Sequence, residues 1–187
     1  LINSAPTVYR EHLRHSRLLS KFTLSEPEEK IISTLEVSGS GALTKIYDRM
    51  TSSLEFIVRL KKGKRVIEKK FTNKEKMLSM IRSTKKEERA SAYKSLLKEY
   101  KRNSGILGEI YFNKVIQWHD EFIKLRGFKS PISVRNTYNN LDDSTVESLL
   151  QACRSNVKVF QRYFKEKAAM IGIRKLHRYH LYAPLTL

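Results

Sequence analysis

The stretch LEFIVRLKKGKRVIEKKF, residues 54–71, carries the clearest β-strand pattern in this 187-residue sequence. Two short runs rich in β-branched and apolar residues, 54–60 and 65–71, flank the turn sequence KKGK, where Gly63 supplies a conformationally free position. This arrangement predicts a β-hairpin. Because no other segment has a comparable pattern, the hairpin is expected to interrupt a chain that is otherwise helical.

Three segments before the hairpin predict helices. Residues 7–22 place apolar side chains near helical spacing. In LSEPEEKIISTLEV, Ser25 is an expected N-cap, because Pro27 and two glutamates follow in the first turn. The sequence SGSGAL then marks a turn, and residues 42–54 predict a further amphipathic helix.

The chain after the hairpin predicts longer helices. Capping boxes are expected at Thr72 with Glu75 and at Thr84 with Glu87. The helical pattern then continues to Gly127, which favours a helix end, with a break near RNSG. FKSPISVRNTYNN is expected to be a loop with one short helix.

The final third of the chain predicts one long helix, DDSTVESLLQACRSNVKVFQRYFKEKAAMIG, that ends at Gly172. Its apolar stripe is expected to be buried and comprises Val146, Leu149, Leu150, Cys153, Val157, Phe160, Tyr163, Phe164 and Met170. The last stretch, LHRYHLYAPL, is expected to be extended because it contains a proline. The sequence therefore predicts a mainly α fold, one helical unit over residues 1–187 with one β-hairpin at about 54–71.

The net charge of +18 invites a nucleic-acid hypothesis. Residues 54–102 hold 17 Lys and Arg against six Glu, a net charge of +11. KKGKR at the hairpin tip could grip phosphate, and Tyr93, Tyr100 and Tyr111 could stack on bases. The alternative is a solvated helical face, KKEERASAYKSLLKEYKR, whose tyrosines fall on the buried side. The alternative is favoured, because no nucleic-acid-binding module signature is present.

The histidines do not predict a metal site. None begins the HExxH motif, in which helical pitch aims two rings at one zinc ion. The pairs His12/His15 and His177/His180 are three residues apart and lack a third ligand, and His119 stands alone. Solvated or interface histidines are the expected alternative. We therefore predict no catalytic, cofactor-binding or metal residue in this chain.

Cys153 is the single cysteine, so the chain has no internal disulfide framework and fits a reducing compartment. Its place on the apolar stripe predicts a small core residue rather than a reactive thiolate. No apolar run approaches the roughly 18–20 residues of a membrane helix.

Four stretches resemble, in order, the oligoendopeptidase F group of zinc metallopeptidases, relatives of thimet oligopeptidase. They are TLSEPEEKIISTLEVSGSGALTKIYDRMTSSLEF (23–56), FTNKEKMLSMIRSTKKEERASAYKSLLKEY (71–100), LRGFKSPISVRNTYNN (125–140) and NVKVFQRYFKEKAAMIGIRKLHRYHLYAPL (156–185). Together they cover most of the chain, and the last is the most specific. One departure is visible: members of the family usually have Asp where this chain has His180.

The resemblance implies a helical fold in which two lobes enclose a deep channel. It also implies that the zinc site, HExxH with a downstream Glu, follows the YAPL segment, outside this chain. The chain begins at Leu1 and is expected to be an internal, non-catalytic portion that is inactive alone. Zinc, short peptide substrates and the catalytic part of the same polypeptide belong to the complete enzyme, which is expected to be cytoplasmic and not membrane-bound.

Two other functions stay open from the sequence. The charge allows a basic helical module that binds nucleic acid or an acidic partner. A free-standing paralogue that kept the helical scaffold and lost the protease is a third, weaker hypothesis.

Overall fold

A computed structural model of the protein describes residues 2–4 and 6–185. The helices are α1 (Thr7–Leu19), α2 (Glu26–Ser38), α3 (Ser40–Ser52), α4 (Lys74–Ser79), α5 (Lys86–Arg102), α6 (Ser104–His119), α7 (Pro131–Tyr138), α8 (Asp143–Ser155) and α9 (Val157–Met170). The strands β1 (Phe56–Lys62) and β2 (Arg65–Phe71) form one antiparallel hairpin. The predicted mainly α fold with one hairpin is confirmed.

The chain divides into two compact units. The first comprises residues 1–44 and 110–155, and the second comprises residues 45–109 and 156–187. The prediction that residues 1–187 act as one helical unit of a larger enzyme stays a prediction.

Helix α2 of the first unit begins at Ser25, as predicted. The backbone N–H of Ser25 donates to the Glu28 carboxylate at 2.9 Å, and its hydroxyl donates to the same oxygen at 2.6 Å. The helix ends where Gly39 donates its N–H to the carbonyl of Leu35. A Cβ at Gly39 would lie 2.9 Å from that carbonyl oxygen and 3.1 Å from Gln117 Oε1, so this close approach requires glycine.

The aromatic core of the first unit lies around Phe128, which is 3% exposed. The Phe128 ring stacks on Phe22 with centroids 3.7 Å apart, and Phe122 and Tyr138 pack against it. The loop that carries Phe128 follows a single π turn, Asp120–Leu125, and Gly127 there has φ +75°. Gly127 is therefore a helix stop, as predicted.

The core of the second unit lies between the hairpin and α5. Phe56 and Val58 are fully buried, whereas Ile57 between them is 45% exposed, which is the alternation of a strand with one face on the core. The hydroxyl of Ser91 on α5 accepts from the Arg59 N–H at 3.0 Å and donates to the Arg59 carbonyl at 2.7 Å. Helix α5 thus provides hydrogen-bond partners for the N–H and the carbonyl of Arg59 on the unpaired edge of β1.

The geometry of the hairpin turn explains why position 63 is a glycine. Lys62 pairs with Arg65, so the loop has two residues, Gly63 and Lys64. Gly63 has φ +62°, the conformation that two-residue hairpin turns require at this position. The strands were predicted at 54–60 and 65–71, so the first begins two residues later than expected.

Both predicted capping boxes after the hairpin are wrong in detail. Asn73, not Thr72, caps α4 by accepting from the Lys76 N–H at 2.9 Å. Lys85 occupies the N-cap position of α5 without a capping side chain, and the Thr84 carbonyl accepts from Arg89 instead. The spacing of a capping-box motif does not determine which of two adjacent residues occupies the N-cap position. The predicted break near RNSG is confirmed between α5 and α6.

The predicted long helix after residue 142 is wrong in two respects. It is interrupted at Asn156, which separates α8 from α9. Its apolar stripe is exposed: Leu149 is 64% and Phe160 57% exposed, and Cys153 is an exposed thiol rather than a core residue. Helical spacing shows which side chains share a face, but not whether another element covers that face.

The final segment is also not extended as predicted. Residues Arg178–His180 form one turn of 3₁₀ helix, closed by the His180 N–H donating to the His177 carbonyl at 2.8 Å. Among the described residues, no helix has the length and apolar character needed to cross a membrane.

Candidate functional site

Within each of the two histidine pairs, the two side chains have different environments. His12 is exposed on α1, whereas His15 places Nε2 2.8 Å from the Thr137 carbonyl oxygen of α7. That bond gives His15 a structural role between two helices. His119 is exposed and lies 3.5 Å from the Asp120 carboxylate.

The second pair lies in the C-terminal turn. His177 is exposed, but His180 is 1% exposed, so the expectation of a solvated or interface histidine is wrong for His180. Its Nδ1 accepts the backbone N–H of His177 at 3.0 Å. The planes of the two rings are inclined at 62°, with centroids 5.6 Å apart. One nitrogen of His180 is therefore engaged within the turn.

The zinc that the resemblance implies does not fit the residues of this chain. In residues 2–4 and 6–185, no group of three His, Cys, Asp or Glu side chains could hold a metal ion. The sequence also contains no HExxH.

Arg89, His180 and Lys167 form a buried basic cluster in the second unit. They are 4%, 1% and 6% exposed. Arg89 donates from Nη1 to the carbonyls of Ser83 and Thr84, at 2.7 and 2.9 Å. Lys167 of α9 donates to the Leu181 carbonyl at 2.7 Å. The C-terminal turn is thus held by α9 through a buried lysine.

The pKa of His180 is lowered from its ordinary value. The main cause is burial, which disfavours the charged imidazolium, and the positive groups Arg89, His177 and Lys86 add to it. The ring is consequently neutral at pH 7.

Sequence reasoning missed this cluster, although α5 carries a signal for it. Arg89 falls at helical spacing with Ala92 and Leu96, which pack into the core. A basic residue on the apolar face of a helix is a candidate for a buried side chain that donates hydrogen bonds to backbone carbonyls.

A second polar cluster lies in the first unit around Arg126, whose side chain is 10% exposed. Its guanidinium contacts the carboxylates of Glu29 and Glu121 and the carbonyl of Phe22, all within 3.2 Å. Hydrogen bonds from Arg126 and from the Leu24 N–H lower the pKa of Glu29 to about 2. The cluster borders a cavity of about 380 Å³. It joins three parts of the unit and has no arrangement of a catalytic acid and base.

The basic hairpin is exposed, as a phosphate-binding element would need to be. Part of its charge is paired, because Arg59 contacts Glu68 at 2.6 Å and Lys70 contacts Glu55 at 2.8 Å. Of the candidate stacking tyrosines, Tyr93 and Tyr100 pack against the core, whereas Tyr111 is 72% exposed. Tyr93 and Tyr100 are the tyrosines of the stretch KKEERASAYKSLLKEYKR, and they lie on its buried side as the alternative expects, whereas Tyr111 lies outside that stretch.

These features define a mainly helical chain that carries one β-hairpin. The family model described as Oligopeptidase F matches residues 1–56. A curated relative, the oligoendopeptidase F homolog of Borreliella burgdorferi, is 26% identical over 99 residues, which are 52% of this chain and 16% of the relative.

Two solved structures have the same fold. A candidate peptidase of Chlamydophila abortus matches with a TM-score of 0.82 and 20% identity, over 98% of this chain and 31% of that chain. The oligoendopeptidase-F of Enterococcus faecium matches with a TM-score of 0.76 and 17% identity, over 95% of this chain and 34% of that chain.

The family model and the curated relative bear out the resemblance to the oligoendopeptidase F family, and the two solved structures bear out the fold. The matched regions span 16% of the curated relative and about a third of each solved chain.

Proposed function

We propose that this chain is the non-catalytic helical portion of a zinc-dependent, cytoplasmic oligopeptidase that hydrolyses short peptides. Its role there is to wall the substrate channel. The observation that carries the proposal is the fold match over 98% of the chain to a candidate peptidase about three times as long. Fold similarity alone does not transfer activity, so the proposal depends on the family assignment as well.

The exposed apolar face of α9 supports this role. Val157, Phe160, Tyr163 and Met170 are 45–65% exposed on one helix. Apolar side chains clustered in this way are uncommon on the free surface of a soluble protein. In the proposed enzyme, the catalytic part of the same polypeptide covers them.

A wall made of helices would act by exclusion. Short unfolded peptides would enter the channel and folded proteins would not. The zinc site of the complete enzyme would supply the hydrolytic chemistry, and this chain would contribute access control and no catalytic group. Alone, the chain should therefore show no peptidase activity.

The first test is the reading frame beyond the codon for Leu187. A frame that continues into HExxH with a downstream Glu supports the proposal, and a stop codon at that point overturns it. The second test assays quenched-fluorescent peptides with the 187-residue chain and with the polypeptide from the continuing frame. Zinc-dependent cleavage by the shorter chain would contradict the assignment of a non-catalytic role.

A selectivity measurement tests the channel. The same cleavable sequence is presented to the longer polypeptide as a free peptide and within an exposed loop of a folded protein. We expect cleavage of the free peptide alone. Comparable rates on both substrates would overturn the role of a channel wall while leaving the peptidase activity intact.

The second candidate function, a basic module that binds nucleic acid, is favoured by one observation. The hairpin tip presents Lys61, Lys62 and Lys64 on an exposed turn of a chain with net charge +18. The partial pairing of the hairpin and the core packing of Tyr93 and Tyr100 weigh against it. Binding that falls steeply with salt would distinguish it.

A further inference from the structure

Two buried side-chain nitrogens in the second unit have no hydrogen-bond partner within the described part of the chain. They are Nε of Arg89 and Nε2 of His180. The two residues are only 4% and 1% exposed. Buried polar side-chain atoms are normally paired, so two unpaired atoms on interacting residues need a physical explanation.

Both atoms are donors. The Nε of an arginine always carries hydrogen. In His180, Nδ1 accepts the N–H of His177, so the proton of the neutral ring is on Nε2. The pair therefore requires an acceptor, and another donor could not satisfy it.

The surroundings are positive. The charged groups that act on the His180 ring are Arg89, His177 and Lys86, and all of them are basic. Lys167 on α9 is engaged with the Leu181 carbonyl in the same turn. The acceptor that suits such a place carries negative charge, because the neighbouring cations stabilise an anion and repel a cation.

A cavity of about 290 Å³ adjoins Arg89. Its lining combines basic Lys86 and Arg89 with apolar Met170, Ile173 and Ala183. His180 is not among the residues that line this cavity, so the cavity reaches the pair from the Arg89 side, where its mixed lining suits a small carboxylate with a short apolar substituent. Arginine binds carboxylates through parallel N–H donors, and Arg89 uses Nη1 on carbonyls and leaves Nε available.

We propose that Arg89 and His180 form a binding site for one small monovalent anion, and that a carboxylate is the ligand that fits best. Its oxygens accept hydrogen bonds from Arg89 Nε and His180 Nε2. A halide ion also accepts hydrogen bonds and carries one negative charge, so it is the alternative ligand for this site. This inference does not depend on the proposed peptidase function.

The test measures thermal unfolding of the chain in sodium formate, sodium chloride and sodium methanesulfonate at equal ionic strength. We expect saturating formate to raise the Tm by about 3 °C over methanesulfonate, because a ligand that binds only the folded state stabilises it. An equal rise in chloride supports the site and assigns it to free small anions generally. Equal Tm values in all three salts overturn the proposal.

Variants separate this site from the rest of a strongly basic surface. Arg89→Met and His180→Phe each remove one donor and should lose the formate response. His12→Gln is the matched control, because it removes an exposed imidazole on α1 of the first unit, and it should retain the response. A formate response that survives both donor variants indicates an adventitious ion only and overturns the proposal.

Arg89→Met also releases the carbonyls of Ser83 and Thr84, so a variant that keeps Arg89 is needed. His180→Asp places a carboxylate beside Arg89 within the chain itself. We expect it to raise the Tm in methanesulfonate by about 3 °C and to abolish the formate response. A lower Tm or a retained response would contradict the assignment.

Discussion

Arg126 holds both carboxylate oxygens of Glu29, a residue 97 positions earlier in the chain. Nη1 donates to Oε1 at 2.7 Å and Nη2 donates to Oε2 at 2.9 Å. The same guanidinium contacts Glu121 in the π turn. A bidentate, charge-assisted pair at this place fixes the start of α2 to the end of the α6 region.

The first prediction concerns acid stability of the first unit. The pKa of folded Glu29, about 2, lies below the ordinary 4.5. The stabilisation from this pair is therefore complete above pH 4.5 and is lost as the pH falls toward 2. Because the Glu29 side chain is 33% exposed, solvent screening limits the effect. We expect Glu29→Gln to lower the free energy of unfolding at neutral pH by about 1 kcal/mol.

Urea unfolding at several pH values measures this effect. Glu26→Gln removes an exposed carboxylate from the same first turn of α2 and should change stability much less. If the two variants lose stability equally, the charge at the helix start, rather than the Arg126 pair, is responsible.

The second prediction concerns the strand that alternates between core and solvent. Phe56 is fully buried beneath α5, and Ile57 next to it is 45% exposed. Phe56→Ala should lower the free energy of unfolding by about 3–5 kcal/mol, because it removes apolar contacts and leaves a cavity. Ile57→Ala should cost less than about 1 kcal/mol. Denaturant unfolding of both variants checks the difference, and similar losses would mean that the register of β1 is wrong.

The third prediction is a pH dependence from His180. Its folded pKa is lowered below the ordinary 6.5 by burial and by the positive charges of Arg89, His177 and Lys86. The unfolded chain therefore binds the proton first. The contribution of His180 is fully present above pH 6.5 and is lost as the pH falls below that value. Arg178 and Tyr179 on the turn, Tyr93 on α5 and Lys167 on α9 are further ionisable groups at this turn.

Thermal unfolding from about pH 8 to about pH 5 measures this loss. We expect the Tm of the wild-type chain to fall more steeply below pH 6.5 than that of His180→Phe. His12→Phe makes the same chemical change at an exposed histidine of α1 and should keep the wild-type slope. A slope that is unchanged in His180→Phe would exclude His180 as the titrating group.

Local chemistry explains how much of the fold the sequence could predict. Ser25 with Glu28, Gly63 in a two-residue turn and Gly127 after a helix each act within a few residues, and the structure confirms each of them. Such signals depend on backbone conformations that neighbouring residues decide. The hairpin and the start of α2 were therefore accessible from the sequence, whereas the caps of α4 and α5 were not.

Long-range partners explain what the sequence could not predict. Glu29 could be assigned to a helix start, but its bond to Arg126 joins distant positions. Cys153 falls on an apolar stripe, yet it is exposed, as is Leu149 on the same helix. The family resemblance supplied the fold of the whole segment, but it could not reveal that His180 is buried beside Arg89.

The last prediction concerns the net charge of +18. The proposed function treats this charge as solvated surface, so the chain should bind double-stranded DNA no tighter than about 1 μM at about 0.15 M salt. Replacing Lys61, Lys62, Lys64 and Arg65 with Gln should then leave the weak binding nearly unchanged, because no dedicated phosphate contact is lost. Fluorescence anisotropy over a salt series measures both quantities. Submicromolar binding that disappears in the quadruple variant would instead establish the hairpin tip as a phosphate-binding element, since each lost contact reduces the salt dependence by about one charge.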